Sequence, residues 1–336
     1  MEISRAYRYL AGNSEGNSLM DSLKPISLPA SEADDAAFTK ALMTSFMETG
    51  FAVIADHGVD QSVIDKAYDV SRAYFELPTE AKMQYFDPDG AGQRGYTPFG
   101  KENAKGFAAM DLKEFWHTGR ELPEGHPYQA IMPETPSVSE VPQFDEATQG
   151  LFKAFDELGL RILRSVASGL GLERDWFADK VRYGNSILRL LHYPAQTTPP
   201  PEGSVRAAAH EDINVITLLL GADEAGLQVL PRGAKDWISV HAPPGTLVIN
   251  VGDMLQRMTN KVLQSTSHRV VNPSPERSRF SRYSMPYFLH FEPEVEIRSL
   301  PGCVSEDNPD HFPEPITANE YLLERLREIG LLKTGM

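Results

Sequence analysis

The chain has 336 residues with 41% hydrophobic content, enough to bury a sizeable core, so disorder is not the starting expectation. Its 47 acidic against 32 basic residues give a formal charge of −15, and Lys and Arg gather into no long basic run, so nucleic acid is not an expected partner. The single cysteine, Cys303, excludes an internal disulfide framework and any CxxC zinc or redox motif. No apolar stretch approaches the roughly eighteen residues of a membrane span, and none follows Met1 to Leu10, so a soluble cytoplasmic protein with no membrane partner is expected.

Residues 1–24, with Gly12-Asn13-Ser14 and Gly16-Asn17-Ser18, read as a flexible polar leader, and order is expected from Pro25. Ser31 followed by Asp34 and Asp35 opens a helix whose apolar positions Phe38, Leu42, Phe46 and Met47 recur at helical spacing until Gly50. Phe51 to Ile54 is a short buried strand closed by a tight Asp56-His57-Gly58 turn in which His57 is structural. Val63, Ala67, Val70, Tyr74 and Phe75 make a second helix that stops before Pro78. From Asp87 to Gln143, Gly, Pro and polar residues predict long ordered loops rather than core. Leu151 to Leu170 is a strongly amphipathic helix.

After Gly184 the texture changes to short apolar runs divided by turns: Ile187 to Tyr193, Val215 to Leu220, Leu227 to Leu230, Trp237 to Val240, Thr246 to Val251, Ser267 to Val271 and Tyr283 to Phe291. Short strands at this spacing predict an antiparallel sandwich or barrel. Thr317 to Leu332 reads as a C-terminal helix.

Within the strand-rich region stand His210-Glu211-Asp212 and, later, His268. Side chains alternate on extended backbone, so His210 and Asp212 share a face while Glu211 points away. Two imidazoles and one carboxylate leave three positions open on a metal, the arrangement of non-haem iron(II) oxygenases, whereas a closed zinc site would want a fourth ligand. Gly90 to Gly95 formally satisfies G-x-G-x-x-G, but it follows Asp87-Pro88-Asp89 rather than a strand and runs into Tyr96-Thr97-Pro98 rather than a helix, so nucleotide binding is not expected. His192 and His290 lie on candidate core strands and read as satisfied core histidines.

The tripeptide's context resembles the isopenicillin N synthase-like branch of the iron(II) and 2-oxoglutarate-dependent dioxygenases. The run from Gly226-Leu227-Gln228-Val229 through Trp237, Pro244-Gly245-Thr246 and Asn250-Val251-Gly252-Asp253 to Ser267-His268-Arg269-Val270 is similar to the family's core in order and spacing. Gly50-Phe51, His57-Gly58-Val59 and Phe75-Glu76-Leu77-Pro78 with Lys82 resemble its N-terminal region. The resemblance implies a mixed α and β fold with a double-stranded β-helix (jelly-roll) core over 186–295, preceded by a helical and loop region over 25–145 and buttress helices over 146–185. A C-terminal extension over 296–336 follows.

It further implies Fe(2+) held by His210, Asp212 and His268, with 2-oxoglutarate and O2 as cosubstrates. Decarboxylation of 2-oxoglutarate would be coupled to hydroxylation, desaturation or cyclisation of a small-molecule substrate. The far carboxylate of 2-oxoglutarate needs a guanidinium with a neighbouring hydroxyl. Of the overlapping R-x-S pairs, only Arg282-Tyr283-Ser284 runs on into Met285-Pro286-Tyr287-Phe288 as the family pattern does, so Arg282 and Ser284 are the expected anchor and Arg279 a loop cation. Tyr193 falls where the family often has a cosubstrate-contacting tyrosine, although the Asn common two positions earlier is Leu191 here. Arg94, Tyr96 and Phe288 are the candidate substrate contacts. Competing readings within the same fold are an isopenicillin N synthase-type oxidase that does without 2-oxoglutarate and an ethylene-forming type that fragments it. Oligomeric state and substrate identity are not readable from the sequence.

Overall fold

The computed structural model describes residues 23–32, 35–100, 113–195, 205–221, 226–273, 275–328 and 332; the predicted leader therefore lies outside the described residues up to position 22. Strand β1 (Ile26–Ser27) leads into helix α1 (Asp35–Glu48), whose Phe38, Leu42 and Phe46 form one buried stripe, and Gly50 ends the turn in the left-handed region at φ +74°. Strand β2 (Phe51–Ala55) is followed by helix α2 (Gln61–Phe75), capped by the Asp60 carboxylate accepting from the Ser62 N–H, and by the short helix α3 (Thr79–Met83). Strands β3 (Gly95–Thr97) and β4 (Glu114–Gly119) precede the 26-residue helix α4 (Phe144–Gly169). The short helix α5 (Ala178–Val181) then gives way to the strand-rich half.

That half holds β5 (Ile187–Tyr193), β6 (Ala207–His210), β7 (Ile216–Leu220), β8 (Leu227–Val229), β9 (Ile238–Ser239) and β10 (Leu247–Val251). Helix α6 (Asp253–Met258) separates these from β11 (His268–Val270), β12 (Arg282–Ser284) and β13 (Tyr287–Leu289). A small β14–β15 ribbon (Glu296–Ile297 with Ile316–Thr317) and a C-terminal helix (Ala318–Glu328) close the fold. The larger sheet runs β1-β2-β10-β7-β13-β5-β4-β3 with β12 also on β5; the smaller runs β6-β11-β8-β9. Phe51, Val53 and Val248 of the larger sheet pack against Val229 of the smaller one and Val240 just beyond its β9, so the two sheets face each other as the halves of a double-stranded β-helix.

Alternation along the larger sheet sorts every strand into two sets. Ala52 and Ile54, Leu247 and Ile249, Ile216 and Leu218, Tyr287 and Leu289, Leu188 and Leu190, and Trp116 turn outward onto α1, α2 and α4, where they form one continuous core. The other parity turns inward: Asn250 pairs with Thr217, Thr217 with Phe288, Phe288 with Ile187, and Ile187 with Gly119. Directly paired residues share a face, so this inner row is the floor on which a site can be built.

Three expectations are corrected. The supposed loop region from Asp87 to Gln143 contains β3 and β4, and β4 is buried at every position. Its sequence hid it because Glu114 and His117 are polar yet satisfied, the first by Lys82 and His192 and the second by Arg189 and the Gly92 carbonyl. The Tyr283 to Phe291 run is two strands broken at Pro286, which has no N–H for a ladder. The amphipathic helix begins at Phe144, seven residues before Leu151.

Candidate metal and cosubstrate site

The smaller sheet sets His210 on β6 directly opposite His268 on β11, and the two rings lie 4.4 Å apart. His210 Nδ1 lies 2.8 Å from the Ala208 carbonyl and His268 Nδ1 lies 3.1 Å from the Thr266 carbonyl. A carbonyl can only accept, so each Nδ1 carries the proton and each Nε2 is left with a free lone pair. Both Nε2 atoms are 3.8 Å from the same atom, Asp212 Oδ1.

The other Asp212 oxygen is already engaged: Oδ2 accepts from Thr217 Oγ1 at 2.5 Å and from Asn250 Nδ2 at 2.8 Å. Burial works to raise the Asp212 carboxyl, but His268, His210 and these two donors outweigh it and hold it below the usual carboxylate range. Its backbone is pinned as well. The Asp253 N–H donates to the Asp212 carbonyl at 2.8 Å and the Gly252 N–H to Val215 at 2.9 Å; a Cβ on Gly252 would stand 2.1 Å from the Asn214 carbonyl oxygen. Glu211 is exposed whereas Asp212 is buried.

Among the described residues, His210, Asp212 and His268 are the group whose donor atoms gather within 4.8 Å of one another. Two neutral imidazoles and one anionic oxygen on one side of a point suit a divalent first-row ion such as iron(II) with positions left open for exogenous ligands. Phe51 meets the His268 ring edge-on at 5.4 Å and closes one wall.

The expected cosubstrate residues lie on the same inner parity of the larger sheet. Arg282 pairs with Tyr193 and Ser284 with Leu191, and the Arg282 guanidinium lies 5.2 Å from the Tyr193 ring centroid. Ser284 and Tyr193 are buried. Arg279 is exposed, with its Nε donating to the Glu276 carbonyl.

Of the three expected substrate contacts, two are brought to this face. Phe288 is inward, beside Thr217, and the Arg94 guanidinium crosses over Gly119. Tyr96 is not. It pairs with Trp116 on the helix-side parity, meets Tyr74 edge-on at 6.2 Å, and its hydroxyl donates to Glu114. Gly95, at φ +71°, turns the chain between Arg94 and Tyr96 and sends them to opposite faces.

Sequence reasoning passed over Thr217 and Asn250 as the supports of Asp212, and over Arg189, whose Nε donates to His117 Nε2 at 2.6 Å with its guanidinium over the Phe115 ring at 4.3 Å. The signal was present: each is a single polar residue interrupting an apolar strand on the inward parity. His290 also differs from its reading as a satisfied core histidine. It is buried, burial pushes its imidazole down to about 4, and it lies within electrostatic reach of both Asp212 and Arg94. His192 matches that reading at one nitrogen, with Nδ1 2.8 Å from Glu114 Oε1, while its buried Nε2 has no partner among the described residues.

A jelly-roll of this topology, with two histidines and an aspartate at one mouth and an R-x-S pair across the sheet, defines a mononuclear non-haem metal oxygenase. Comparison with known proteins narrows the class. Residues 22–138 match the N-terminal family described as non-haem dioxygenase in morphine synthesis, and residues 184–291 match the 2OG-Fe(II) oxygenase superfamily. A 2-oxoglutarate-Fe(II) type oxidoreductase of Emericella nidulans is 30% identical over 298 residues, covering 86% of this chain and 84% of the relative. A 2OG-Fe(II) oxygenase family protein from Caulobacter crescentus is 50% identical with a TM-score of 0.85, covering 91% of this chain and 99% of its own. A Neurospora crassa protein solved with alpha-KG and thymine is 29% identical with a TM-score of 0.77, covering 90% and 96%. The chain therefore belongs to the 2OG-Fe(II) oxygenase superfamily. It is an iron(II)-dependent dioxygenase that uses 2-oxoglutarate and O2.

Proposed function

We propose that His210, Asp212 and His268 hold the iron, that Arg282 and Ser284 anchor the distal carboxylate of 2-oxoglutarate beside Tyr193, and that the enzyme hydroxylates a small molecule lying over Phe288 and Arg94. The observation that carries the reading is the convergence of both Nε2 atoms on Asp212 Oδ1, with Oδ2 already held by Thr217 and Asn250. When bound, iron with 2-oxoglutarate supplies the oxidant, releasing succinate and CO2 as O2 is consumed. The protein's part is orientation. The Ala208 and Thr266 carbonyls fix the imidazole tautomers, and Asn250 with Thr217 fixes the carboxylate. The Arg282 charge sets the direction in which 2-oxoglutarate enters, and the apolar walls exclude water.

A small-molecule substrate is supported by the Neurospora relative, whose structure holds thymine beside alpha-KG. A cytoplasmic setting is supported by a lone, buried Cys303, and the charge of −15 weighs against a nucleic-acid partner. Among the described residues no helix is long and apolar enough to cross a membrane. The test is the ratio of succinate formed to O2 consumed, with Arg282→Gln expected to raise the KM for 2-oxoglutarate about 10- to 100-fold through loss of a charge-assisted pair. An oxidation that proceeds without 2-oxoglutarate would sink the reading in favour of the isopenicillin N synthase type. Ethylene in the headspace would point to fragmentation of 2-oxoglutarate itself.

A further inference from the structure

Two cations largely withdrawn from water have carboxylate partners: Lys82 has Glu114 at 2.8 Å and Arg120 has Asp156 at 2.5 Å. Arg94 does not. It is 7% exposed, and among the described residues its Nη1 donates to the Gln93 carbonyl at 2.7 Å, its Nη2 to Asn185 Oδ1 at 2.8 Å, and its Nε to nothing. Both acceptors are neutral. Burial, together with a second cation, Arg120, as its charged neighbour, pushes the guanidinium down to about 10. A guanidinium withdrawn from water with no counter-ion is destabilising, and such groups persist where a ligand completes them.

The guanidinium also points the right way. Gly119 belongs to the inward parity of β4, and a Cβ built there would stand 1.9 Å from Arg94 Nε and 2.2 Å from Cζ. Arg94 therefore occupies the place that a side chain at 119 would take on the inner face, and no other residue type at 119 would leave it room. From Gly119 the inner row runs through Ile187 and Phe288 to Thr217, which holds Asp212. Three strand steps at about 4.8 Å each span roughly 14 Å along the sheet, less across its curvature. His290 lies between, within electrostatic reach of both ends and with no hydrogen bond to its ring among the described residues.

We propose that Arg94 is the anion anchor of the substrate site: the primary substrate is a small carboxylic acid whose carboxylate pairs with the Nε edge of Arg94 while the carbon to be oxidised lies toward Asp212, with Phe288 and His290 along its length. The Asn185 carboxamide, its oxygen held by Arg94, orients the fork. This assignment rests on the iron and 2-oxoglutarate reading above, and its failure is separable from the failure of that reading.

The experiment compares small monocarboxylic acids with their primary amides at saturating 2-oxoglutarate, so that Arg282 is already occupied. One readout is acid-stimulated succinate release. The other is calorimetric binding to the Mn(II)-loaded protein without O2. The acids are expected to outbind their amides by about 10- to 100-fold in the wild type, and this preference should collapse in Arg94→Gln and return in part in Arg94→Lys. Equal binding of acids and amides by the wild type, or a preference that survives in Arg94→Gln, overturns the proposal while leaving 2-oxoglutarate binding as the separate measure of the parent reading. Should Arg94→Gln not fold, the wild-type acid-to-amide ratio and the Arg94→Lys protein decide alone.

Discussion

The two faces of the large sheet treat charge in opposite ways. On the helix side the Glu114 carboxylate is enclosed: Lys82 Nζ donates to both its oxygens, at 3.0 and 2.8 Å, His192 sits at 2.8 Å, and the Tyr96 hydroxyl completes it. On the inner side Asp212 has one oxygen satisfied and the other facing two imidazoles, and Arg94 has no acid partner among the described residues. The same backbone, one residue out of phase, thus builds a closed polar network toward the helices and an open one toward the second sheet. Closed networks hold structure; open ones wait for a ligand.

The comparison breaks most readily at its open end. Asp212→Ala removes the sole anionic donor of the trio, so iron content and succinate release should fall beyond the roughly 100-fold that loss of an outer partner produces. The apoprotein should stay folded by circular dichroism, because a buried charge has been removed rather than orphaned. Retention of stoichiometric iron with a lowered melting temperature would make the carboxylate structural and erase the distinction. The closed end fails differently. Lys82→Met leaves Glu114 buried with only His192 and Tyr96, and loss of one partner of a buried pair should destabilise by about 3–5 kcal/mol. Denaturant melts should show that loss while the protein that remains folded binds iron in full. A smaller effect is expected between the two ends: Asn250→Ala deprives Asp212 Oδ2 of one of two donors and should weaken iron binding about 10- to 100-fold, read by metal titration, with little change in the melt.

That His210, Asp212 and His268 gather was legible because H-x-D needs only local spacing, and His268 because its strand was visible as an apolar alternation. Arg282 was separable from Arg279 because Pro286 and the aromatics follow only the former. What stayed hidden depends on partners far along the chain. Glu114 cannot be read as a strand residue until Lys82 and His192 are known to meet it, so β4 looked like loop. Arg94 and Tyr96 stand two apart in one short motif, yet the positive φ of Gly95 between them breaks the period of two, which the sequence does not show. Thr217 and Asn250 stand on β7 and β10, and that these strands are neighbours is a fact of topology that alternation along either strand does not contain.

The weakest perturbation tests whether burial on the helix side is truly without chemistry. Cys303 ends a short turn at Pro301–Cys303 and packs into the helix-side core, where burial pushes its thiol up to about 12. At pH 8 only about one molecule in 10⁴ then carries the thiolate, which is the species that attacks a disulfide reagent. The folded enzyme should resist such a reagent at a rate set by opening of the fold, whereas the denatured chain should label at once. Cys303→Ala should lower stability by about 1 kcal/mol, the loss of a small buried group, and leave iron content and succinate release unchanged. A thiol that labels rapidly in the native protein, or a variant that loses iron, would mean that the division between a structural face and a reactive one fails on the side where Lys82, His192 and Tyr96 enclose Glu114.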